Sequence, residues 1–572
     1  MAATPKTTDR TTRAQFLARV GSLKDERSSW FEHYRELSQF IMPRSGRFFI
    51  TDRNKGGKRH NSIYNETASW AARTLAAGMQ AGMTSPARPW FRLAITDTEM
   101  MEFGPVKRWL DDTTMLMREI FLRSNTYRAL HSSYTELGVY GTAANLQDDD
   151  FDTVIWHHPL TAGEYCVSTG ARGNVNTLSR EYEMTVAQML DEFGYDALSP
   201  AVKNLYNNGA GLDKWVPVVH LIEPRKDRDY RARDTKNMAF KDVYFEAGGN
   251  EDKLLRESGH KRFPGFAPRW DVSGGDIYGN SPGMEALGGT KQLQHEETRL
   301  SQGIDYQVKP PLALPAALKD KPHSTLPGGT AYYDMNTNVQ IKSMFDVNLN
   351  LSHLDLNIQR VEKRISRSFY ADLFLMLAQD TRSNITAREI AERHEEKLLM
   401  LGPVLERLHS ELHQQLIDNT FDRMVATRIV PPPPPELQGV DLNVQFVSML
   451  AQAQRAVGTA SVDRLLGTVG SLAVMQANAG QTVTALDKLN IDSIVDGYAD
   501  MLGTDPDYIV GNEDVAIIRD QRVQAQQQAQ QAATMAQAAA TAKDASQASL
   551  DGNTALSQAL GQFSGYAVPG TL

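Results

Sequence analysis

Residues 270–297 read "WDVSGGDIYGNSPGMEALGGTKQLQHEE", a run that begins in glycines and turn-forming residues and ends as a charged helix. Ser281 and Pro282 predict the helix start, because serine caps free N–H groups and proline suits the first helical turn. Glycine-rich loops ahead of helices often hold phosphates, since a helix N-terminus carries unpaired N–H groups and positive partial charge. The stretch therefore predicts either a nucleotide pocket or a hinge that directs a structural helix reaching about Gln307.

The nucleotide pocket fails on spacing. A phosphate-binding P-loop needs four residues between its glycines, followed at once by Lys and then Ser or Thr. In "GMEALGGTK" (283–291) the second glycine is followed by Gly289 and Thr290, and Lys291 precedes Gln292. These glycines are also predicted to lie inside the helix. One enzymatic alternative remains, a nucleotide-dependent DNA translocase with an atypical phosphate loop at 283–291. It predicts that the protein hydrolyses ATP and that Lys291→Ala abolishes this activity.

Composition narrows the class of protein. The chain has 572 residues, 41% hydrophobic and 23% charged, with a formal net charge of -9. That length suggests roughly three or four domains of about 150 residues. The negative charge argues against a protein that grips nucleic acid tightly, because such affinity comes from Lys and Arg on phosphates. Cys166 is the only cysteine, so there is no disulfide framework and no cysteine-based zinc site, and we expect it to be a small buried hydrophobe.

Periodicity predicts an α+β, predominantly helical chain. Helices are predicted over 10–42, 105–139, 351–378 and 386–426, and short alternating runs predict antiparallel strands with a helix near "TVAQMLDEFG" between about 150 and 265. Five prolines at 431–435 predict a stiff connector, several short helices follow over 440–520, and 521–548 is a helix-prone Ala/Gln tract. The long helix carries a leucine seam that we expect to need a partner helix or subunit: Leu398, Leu401, Leu405, Leu408, Leu412 and Leu416.

No motif for catalysis, metal or cofactor binding is complete. "HSELH" (409–413) has Ser410 where a metalloprotease helix has glutamate, so a solvated polar face is favoured. Tyr332 and Tyr333 suit either stacking on nucleic acid or packing in a small β element. "RVEKRISR" is the most basic helical patch, with Glu362 as a possible partner. The sequence shows no secretory signal and no apolar run of the roughly 20 residues that a bilayer requires.

Five ordered blocks resemble the portal proteins of the short-tailed phage head-to-tail connector family. The blocks are "ETASWAARTLAAGMQAGMTSPARPWF", "GEYCVSTGARGNVNTLSREYEMTVAQMLDEFG", "YGNSPGMEALGGTKQLQ", "NITAREIAERHEE" with "LGPVLERLHSELHQQLI", and "VQFVSMLAQAQR". Together they cover most of residues 60–455. Two departures are Ile385, where the family often has Met, and Met449, where Pro is common.

The resemblance implies a subunit with wing, stem, clip and crown, assembled into a dodecameric ring around a DNA channel. The wing would occupy 1–280, stem helix one 281–307, the clip 308–348 and stem helix two 351–377. A tunnel loop at 378–386 would lead into a long wing helix at 386–430. The crown, with its polyproline connector, would follow at 431–520, and a C-terminal helix or barrel with a flexible tail at 521–572.

The resemblance also assigns roles to residues. We expect a wing–stem hinge at Gly274, Gly275, Gly279, Ser281 and Pro282. A DNA-facing stem surface is expected at Arg360, Lys363, Arg364 and Arg367. A tunnel loop is expected at Asp380, Arg382, Ser383 and Asn384, and a clip surface for terminase and adaptor at Lys309, Lys319, Lys321, Tyr332 and Tyr333.

The implied function is a non-enzymatic ring at one capsid vertex of the virion, made in the host cytoplasm. Its partners would be further copies of itself, the terminase motor, the tail adaptor, the major capsid and scaffold proteins and double-stranded DNA in transit, with no membrane and no cofactor. A helical adaptor outside phages is the remaining alternative, and it predicts an elongated monomer or dimer.

Overall fold

The computed structural model describes most of the chain in two units, residues 1–101 with 105–503 and residues 102–104 with 504–572. The described residues are 12–52, 56–101, 103–209, 211–229, 231–232, 234–248, 253–309, 312–313, 342–343, 351–379, 401–437, 439, 442–446, 465–476, 478–479, 484, 488–502, 510 and 512–547.

Helices dominate the described chain. Those labelled here are α1 (Thr12–Phe40), α2 (Thr67–Met83), α3 (Thr98–Met101), α4 (Gly104–Arg123), α5 (Thr126–Tyr140), α6 (Val186–Phe193), α7 (Pro200–Asn207), α8 (Pro282–Val308), α9 (Ser352–Ser368), α10 (Ala371–Gln379), α11 (Gln414–Ala426), α12 (Ile491–Leu502) and α13 (Asn512–Gln547). Residues 401–408 and 465–476 are also helical, and His409–His413 form a π-helical turn ahead of α11.

The strands are β1 (Phe91–Ile95), β2 (Ala144–Asp150), β3 (Val154–Leu160), β4 (Tyr165–Thr169), β5 (Val175–Thr185), β6 (Trp215–Pro224), β7 (Phe240–Glu246), β8 (Arg256–His260), β9 (Gly265–Phe266), β10 (Leu312–Ala313), β11 (Lys342–Ser343) and β12 (Leu442–Phe446). Every pairing in the described sheets is antiparallel. The fold is therefore a mixture of helix and antiparallel sheet, with helix in the majority.

The predicted α/β lobe is confirmed. A five-stranded sheet runs in the order β4-β5-β6-β7-β8, which is sequence order. Helix α6 begins in a capping box, because the Thr185 side chain accepts from the Gln188 N–H while the Gln188 side chain accepts from Thr185. Phe16 and Val20 of α1 pack on Val243 and Phe245 of this sheet, so α1 ties the lobe to the helical part of the unit.

The main hydrophobic core gathers segments that lie far apart in sequence. It joins α1, α2, α4 and α5 to β1, α9, α10 and residues 401–424. Strand β1 pairs with β12, and Phe91 lies opposite Phe446. Sequence reasoning expected short helices after residue 440, so this strand is a correction. Its pairing partner lies some 350 residues earlier in the chain, where no local pattern could point to it.

Two predicted helices are each divided. The expected helix over 105–139 is α4 and α5, separated at Ser124-Asn125. The expected helix over 351–378 is α9 and α10, because Tyr370 has φ 54°, a left-handed conformation that a continuous α-helix does not accept. The Tyr370 ring lies 6.2 Å from the ring of Trp270, which places the break against the segment that precedes α8.

The leucine seam is buried within its own chain, so for its described part the expected partner is supplied by helices of the same chain and not by another subunit. Its leucines share the main core with residues of β1, α2 and α5. Leu398 lies outside the described residues. The buried seam leucines are Leu401, Leu405, Leu408, Leu412 and Leu416.

The second unit contains α13, which is 36 residues long and confirms the predicted helical Ala/Gln tract. Its described side chains between 516 and 541 are all exposed. Such a helix has no apolar face of its own to stabilise it.

Candidate functional site: the paired helices α8 and α9

Helices α8 and α9 pack side by side through an apolar seam. Leu293 of α8 is fully buried, and α9 buries Ile358, Val361 and Ile365 on one face. That spacing of three and four residues is the periodicity of one helical face. The opposite face of α9 is exposed and positively charged, as its i, i+3, i+4, i+7 spacing requires: Arg360, Lys363, Arg364 and Arg367.

Hydrogen bonds hold the pair to the start of α2. The Gln294 Oε1 accepts the backbone N–H groups of Tyr64 and Asn65 at 2.6 and 2.9 Å. The Asn65 Nδ2 in turn donates to Glu297 of α8 and Glu362 of α9, both at 2.8 Å. The sequence suggested Glu362 as a partner for the basic face of α9. In the structure its carboxylate also accepts the hydrogen bond from Asn65 that anchors α9 to the start of α2.

A second set of contacts links the outer parts of the two helices. The Asn357 Nδ2 donates to Glu296 Oε1 at 2.7 Å, and Arg364 Nη2 donates to Gln292 Oε1 at 3.0 Å. The Arg364 guanidinium is therefore tied to α8 by one of its N–H groups, while the residue as a whole stays exposed. The pair is therefore a stiff rod with one cationic side.

The glycine-rich segment ahead of α8 is a closed loop. Asp271 and Asn280 form an antiparallel bridge, with Asn280 N–H donating to Asp271 O at 2.7 Å. Gly274 has φ +59° in the turn between them, a conformation that favours glycine. A Cβ on Gly279 would lie 2.4 Å from Gly141 O, so a side chain is excluded there. At Gly275 nothing in the structure requires glycine.

The predicted helix start is confirmed. Ser281 is the N-cap of α8, its Oγ accepts from the Met284 N–H at 3.0 Å, and Pro282 is the first helical residue. The same Oγ donates to Val139 O at 2.7 Å, at the end of α5. The direction of α8 is therefore fixed against α5, and the expected hinge has the geometry of a rigid junction.

Arg269 holds this junction to the helix before α11, a role that sequence reasoning missed. Its side chain is almost fully buried and pairs with Glu411, Nη2 to Oε1 at 2.6 Å, in a two-pronged contact. It also donates to the backbone oxygens of Gly173 at 2.6 Å and Asp276 at 3.3 Å. The only signal in the sequence was an arginine within an apolar stretch beside Trp270.

The phosphate-loop alternative loses its loop. Residues 283–291 lie inside α8, where the Met284 N–H is taken by the Ser281 cap and the N–H groups from Glu285 onward bond to the helix backbone, so the segment forms no phosphate-binding loop. The Lys291 Nζ pairs with Glu36 Oε2 at 2.8 Å on α1.

The "HSELH" segment is not the solvated polar face that its composition favoured. His413 is buried, and its Nε2 lies 2.9 Å from the Tyr134 hydroxyl. His409 stacks on Phe446 with ring centroids 4.1 Å apart. Burial lowers the pKa of His413 well below its usual value, and His409 lowers it further, so the imidazole is neutral.

Several expected site residues cannot be placed in this geometry. The tunnel-loop residues 380–384 and the clip residues Lys319, Lys321, Tyr332 and Tyr333 lie outside the described residues. Lys309, also expected in the clip, is exposed at the end of α8, and its backbone N–H donates to Asp305 O at 2.8 Å.

The remaining chemical signals are structural. Cys166 is buried, as expected, and burial raises the pKa of its thiol. Across the described part of the chain, no three His, Cys, Asp or Glu side chains come together as a metal ion would require. Among the helices that the structure describes, none combines the length and the apolar composition that a bilayer crossing demands.

Comparison with known protein families matches residues 13–510 to the family described as bacteriophage head to tail connecting protein. The chain belongs to this family. The match confirms the resemblance carried by the five sequence blocks and favours a phage origin over a helical adaptor from elsewhere.

Two curated relatives of this head-to-tail connecting protein carry portal names. The "Probable portal protein" of Bordetella phage BPP-1 is 55% identical over 559 residues, 98% of this chain and all of the relative. The "Portal protein" of Salmonella phage epsilon15 is 42% identical over 521 residues, 91% of this chain and 92% of the relative. Neither these names nor the family description states an enzymatic activity.

Solved structures give a weaker likeness. A chain from the virion of a native gene transfer agent particle shares 11% identity and a TM-score of 0.35, covering 79% of this chain and all of that chain. A chain from the neck of an empty gene transfer agent particle shares 12% identity and a TM-score of 0.34, with 77% and 97% coverage. TM-scores this low carry no conclusion about the fold of this chain.

Proposed function

We propose that the chain is the repeating subunit of a portal, a dodecameric ring at one capsid vertex through which DNA enters during packaging and leaves during ejection. The observation that carries the proposal is the rigid α8–α9 pair with one apolar and one cationic face, in a member of a head-to-tail connecting family. The names of the two relatives support it.

The proposed map assigns each segment a part of the ring. Residues 1–280 and 386–430 form the wing, α8, α9 and α10 are the stem helices, and 308–348 is the clip that terminase and the tail adaptor contact. Residues 378–386 form a tunnel loop toward the channel. Residues 431–520 form the crown, and residues 521–572 a C-terminal helix or barrel. Ring contacts with the major capsid and scaffold proteins fall on the outer surface of the wing.

The charge of the chain favours a channel that lets DNA pass rather than one that binds DNA tightly. The chain carries a formal net charge of -9, while the basic face of α9 is a local patch of four cations. Duplex DNA carries about one negative charge per ~1.7 Å, and a strongly basic bore would hold it. A mildly acidic subunit with a cationic stripe on α9 gives transient contacts to phosphates and lets the duplex slide.

The proposed portal is not an enzyme, and it needs no cofactor. Energy for packaging comes from the terminase motor that docks on the clip. The α8 contacts of Lys291 support this, because that lysine is engaged with Glu36 on a helix surface.

The test is a phage whose copy of this gene carries an early stop codon, complemented from a plasmid. We expect capsids without DNA in the absence of the protein and full rescue by the wild type and by Lys291→Ala. Purified protein should hydrolyse no ATP. Capsids that fill with DNA in the absence of the protein contradict the portal function, and ATP hydrolysis lost in Lys291→Ala would restore the translocase.

A further inference from the structure

The tip of the β2–β3 hairpin exposes an aromatic side chain within an acidic rim. Phe151 is fully exposed, and it lies between carboxylates on both sides. Asp150 is held ionised, because the Thr153 N–H and hydroxyl donate to it at 2.8 and 2.7 Å and lower its pKa. The neighbouring carboxylates are Asp149, which is largely exposed and pairs with Arg423 at 2.8 Å, and Asp152, which is exposed.

A cavity with the opposite character lies where α1 ends and α2 begins. Its volume is about 550 Å³. Ile41, Met42 and Ile63 supply apolar walls. The guanidinium groups of Arg44 and Arg73 line the same cavity, and Glu66 is the one carboxylate in its lining.

The two features lie at opposite ends of α5. Asn125, at the start of α5, exchanges hydrogen bonds with the backbone of His157 in the middle of β3, the strand that leads to the hairpin tip. Near the other end of α5, Glu136 accepts from Ser45, the residue directly after the cavity wall. Helix α5 has 15 residues and is about 22 Å long at ~1.5 Å per residue, so one subunit cannot bring its own tip to its own cavity.

We propose that the Phe151 tip of one subunit inserts into the Ile41–Arg73 cavity of the next copy of this chain. An exposed aromatic on an ordered hairpin is the kind of anchor that carries interfaces, and a pocket of this size accepts a phenyl ring. The acidic rim and the basic cavity are complementary in charge, which sets the orientation. DNA is excluded as a partner of the tip, since its phosphates repel three carboxylates.

This contact rests on the proposed ring, and it specifies which surfaces of neighbouring subunits bind each other. Two different patches of the same chain that bind each other make a head-to-tail contact, and such contacts close into a ring when the rotation between subunits closes. Because the tip and the cavity are at opposite ends of α5, each subunit presents its tip to one neighbour and its cavity to the other.

Engineered cysteines give the direct test, because Cys166 is buried and gives little background. In the full chain, Phe151→Cys with Tyr64→Cys in the cavity wall should form a covalent ladder of subunits under mild oxidation of the assembled protein. Each single variant and the mismatched pair Trp215→Cys with Tyr64→Cys should give no ladder, although Trp215 is also exposed.

A charge exchange tests the rim. Asp152→Arg and Arg73→Asp should each weaken ring assembly by at least about tenfold, and the double variant should recover most of it. Both sites are exposed, so the fold, checked by circular dichroism, should not change.

The outcomes separate this contact from the ring itself. Rings that assemble normally with either single charge variant and give no 151–64 ladder overturn the contact and leave the portal proposal intact. Rings that assemble normally while Arg73→Asp only lowers DNA retention assign the cavity to DNA and overturn the contact. A wild-type protein that never associates overturns both.

Discussion

At the scale of single residues, buried ionisable side chains decide how α1, α5 and the β3–β4 connection are held together. Glu136 is buried in α5 and accepts from Ser45 Oγ, Thr161 Oγ1 and the Ala162 N–H at 2.5, 2.8 and 2.9 Å. Burial raises its pKa to about 7, although the three donors lower it. This carboxyl joins the end of α1, α5 and the β3–β4 connection, so its protonation bears on the packing of three segments.

The Glu136 carboxyl predicts a specific pH dependence. Its folded pKa lies above the unfolded value, so its favourable contribution is complete below about pH 4.5 and is lost as pH rises through about 7. Glu136→Gln mimics the neutral form and should match the wild type near pH 4.5. At pH 8 the variant should be more stable by up to about 3 kcal/mol, at about 1.4 kcal/mol per pKa unit.

Urea midpoints measured for both proteins across this pH range check the Glu136 prediction. Exposed Glu32, changed to Gln, is the control and should give no pH-dependent difference. Parallel curves for Glu136→Gln and the wild type would show that folding does not raise the pKa of this carboxyl, which contradicts the prediction.

Arg269 gives a second prediction at this scale. Arg269→Met leaves the Glu411 carboxylate and two backbone oxygens without their buried donor. Removing one partner of a buried pair typically costs about 3–5 kcal/mol. For Arg269→Met we expect faster amide hydrogen exchange over residues 271–281 and a lower melting temperature. Arg269→Lys should show both effects as well, because lysine lacks the two-pronged geometry of the arginine.

Arg262 is the matched control for Arg269. It also pairs with two carboxylates, Asp418 and Asp422 at 2.9 Å, but its side chain is 55% exposed. Arg262→Met should therefore cost about 1 kcal/mol or less. Equal effects of the two methionine variants would contradict the role given to Arg269 as the clamp on the loop before α8.

At the scale of elements, the cationic face of α9 carries the functional argument. Arg360→Glu, Lys363→Glu and Arg367→Glu together should leave the fold and the ring intact, because these side chains are exposed and glutamate favours helix. The number of DNA-filled capsids should fall by on the order of tenfold, since the stripe then repels phosphates. Counting filled capsids by sedimentation measures this.

The control for α9 reverses three exposed arginines on other helices, Arg108, Arg123 and Arg128 of α4 and α5. It changes the net charge by the same amount and should leave packaging unchanged. A normal yield of filled capsids from the α9 variant would remove this face from the DNA path.

Elements with local signals were predictable from the sequence, and those that depend on distant partners were not. Ser281-Pro282 announces α8, and Thr185 with Gln188 announces α6, because capping is a matter of a few adjacent residues. The break at Tyr370 carries no such sign, since neither glycine nor proline marks it. Its left-handed backbone goes with packing on Trp270, which only the fold brings near.

The leucine seam and "HSELH" show the same limit at the candidate site. The spacing of the leucines correctly indicates a buried face, but spacing cannot say whether the cover comes from this chain or another. His413 looks polar in sequence, yet Tyr134 and Phe446 enclose it. The cationic face of α9 could be predicted because its spacing lies within one helix. The Arg269–Glu411 pair could not, because the two residues are 142 positions apart in the sequence.

At the scale of the whole molecule, the described contacts suit a rigid subunit of an assembly. One core joins α1, α2, α4 and α5 to α9, α10 and the helix before α11, and Asn65 and Gln294 anchor the α8–α9 pair on it. The apolar side chains that form this core are covered within the chain. Assembly is therefore expected to use exposed features such as the Phe151 tip and its complementary cavity.

The most direct test of the portal account is the mass and symmetry of the purified protein, measured by native mass spectrometry together with negative-stain imaging. The account predicts a closed ring of about twelve subunits with a central channel. A monomer or dimer that persists at high concentration and in extracts of infected cells would contradict it.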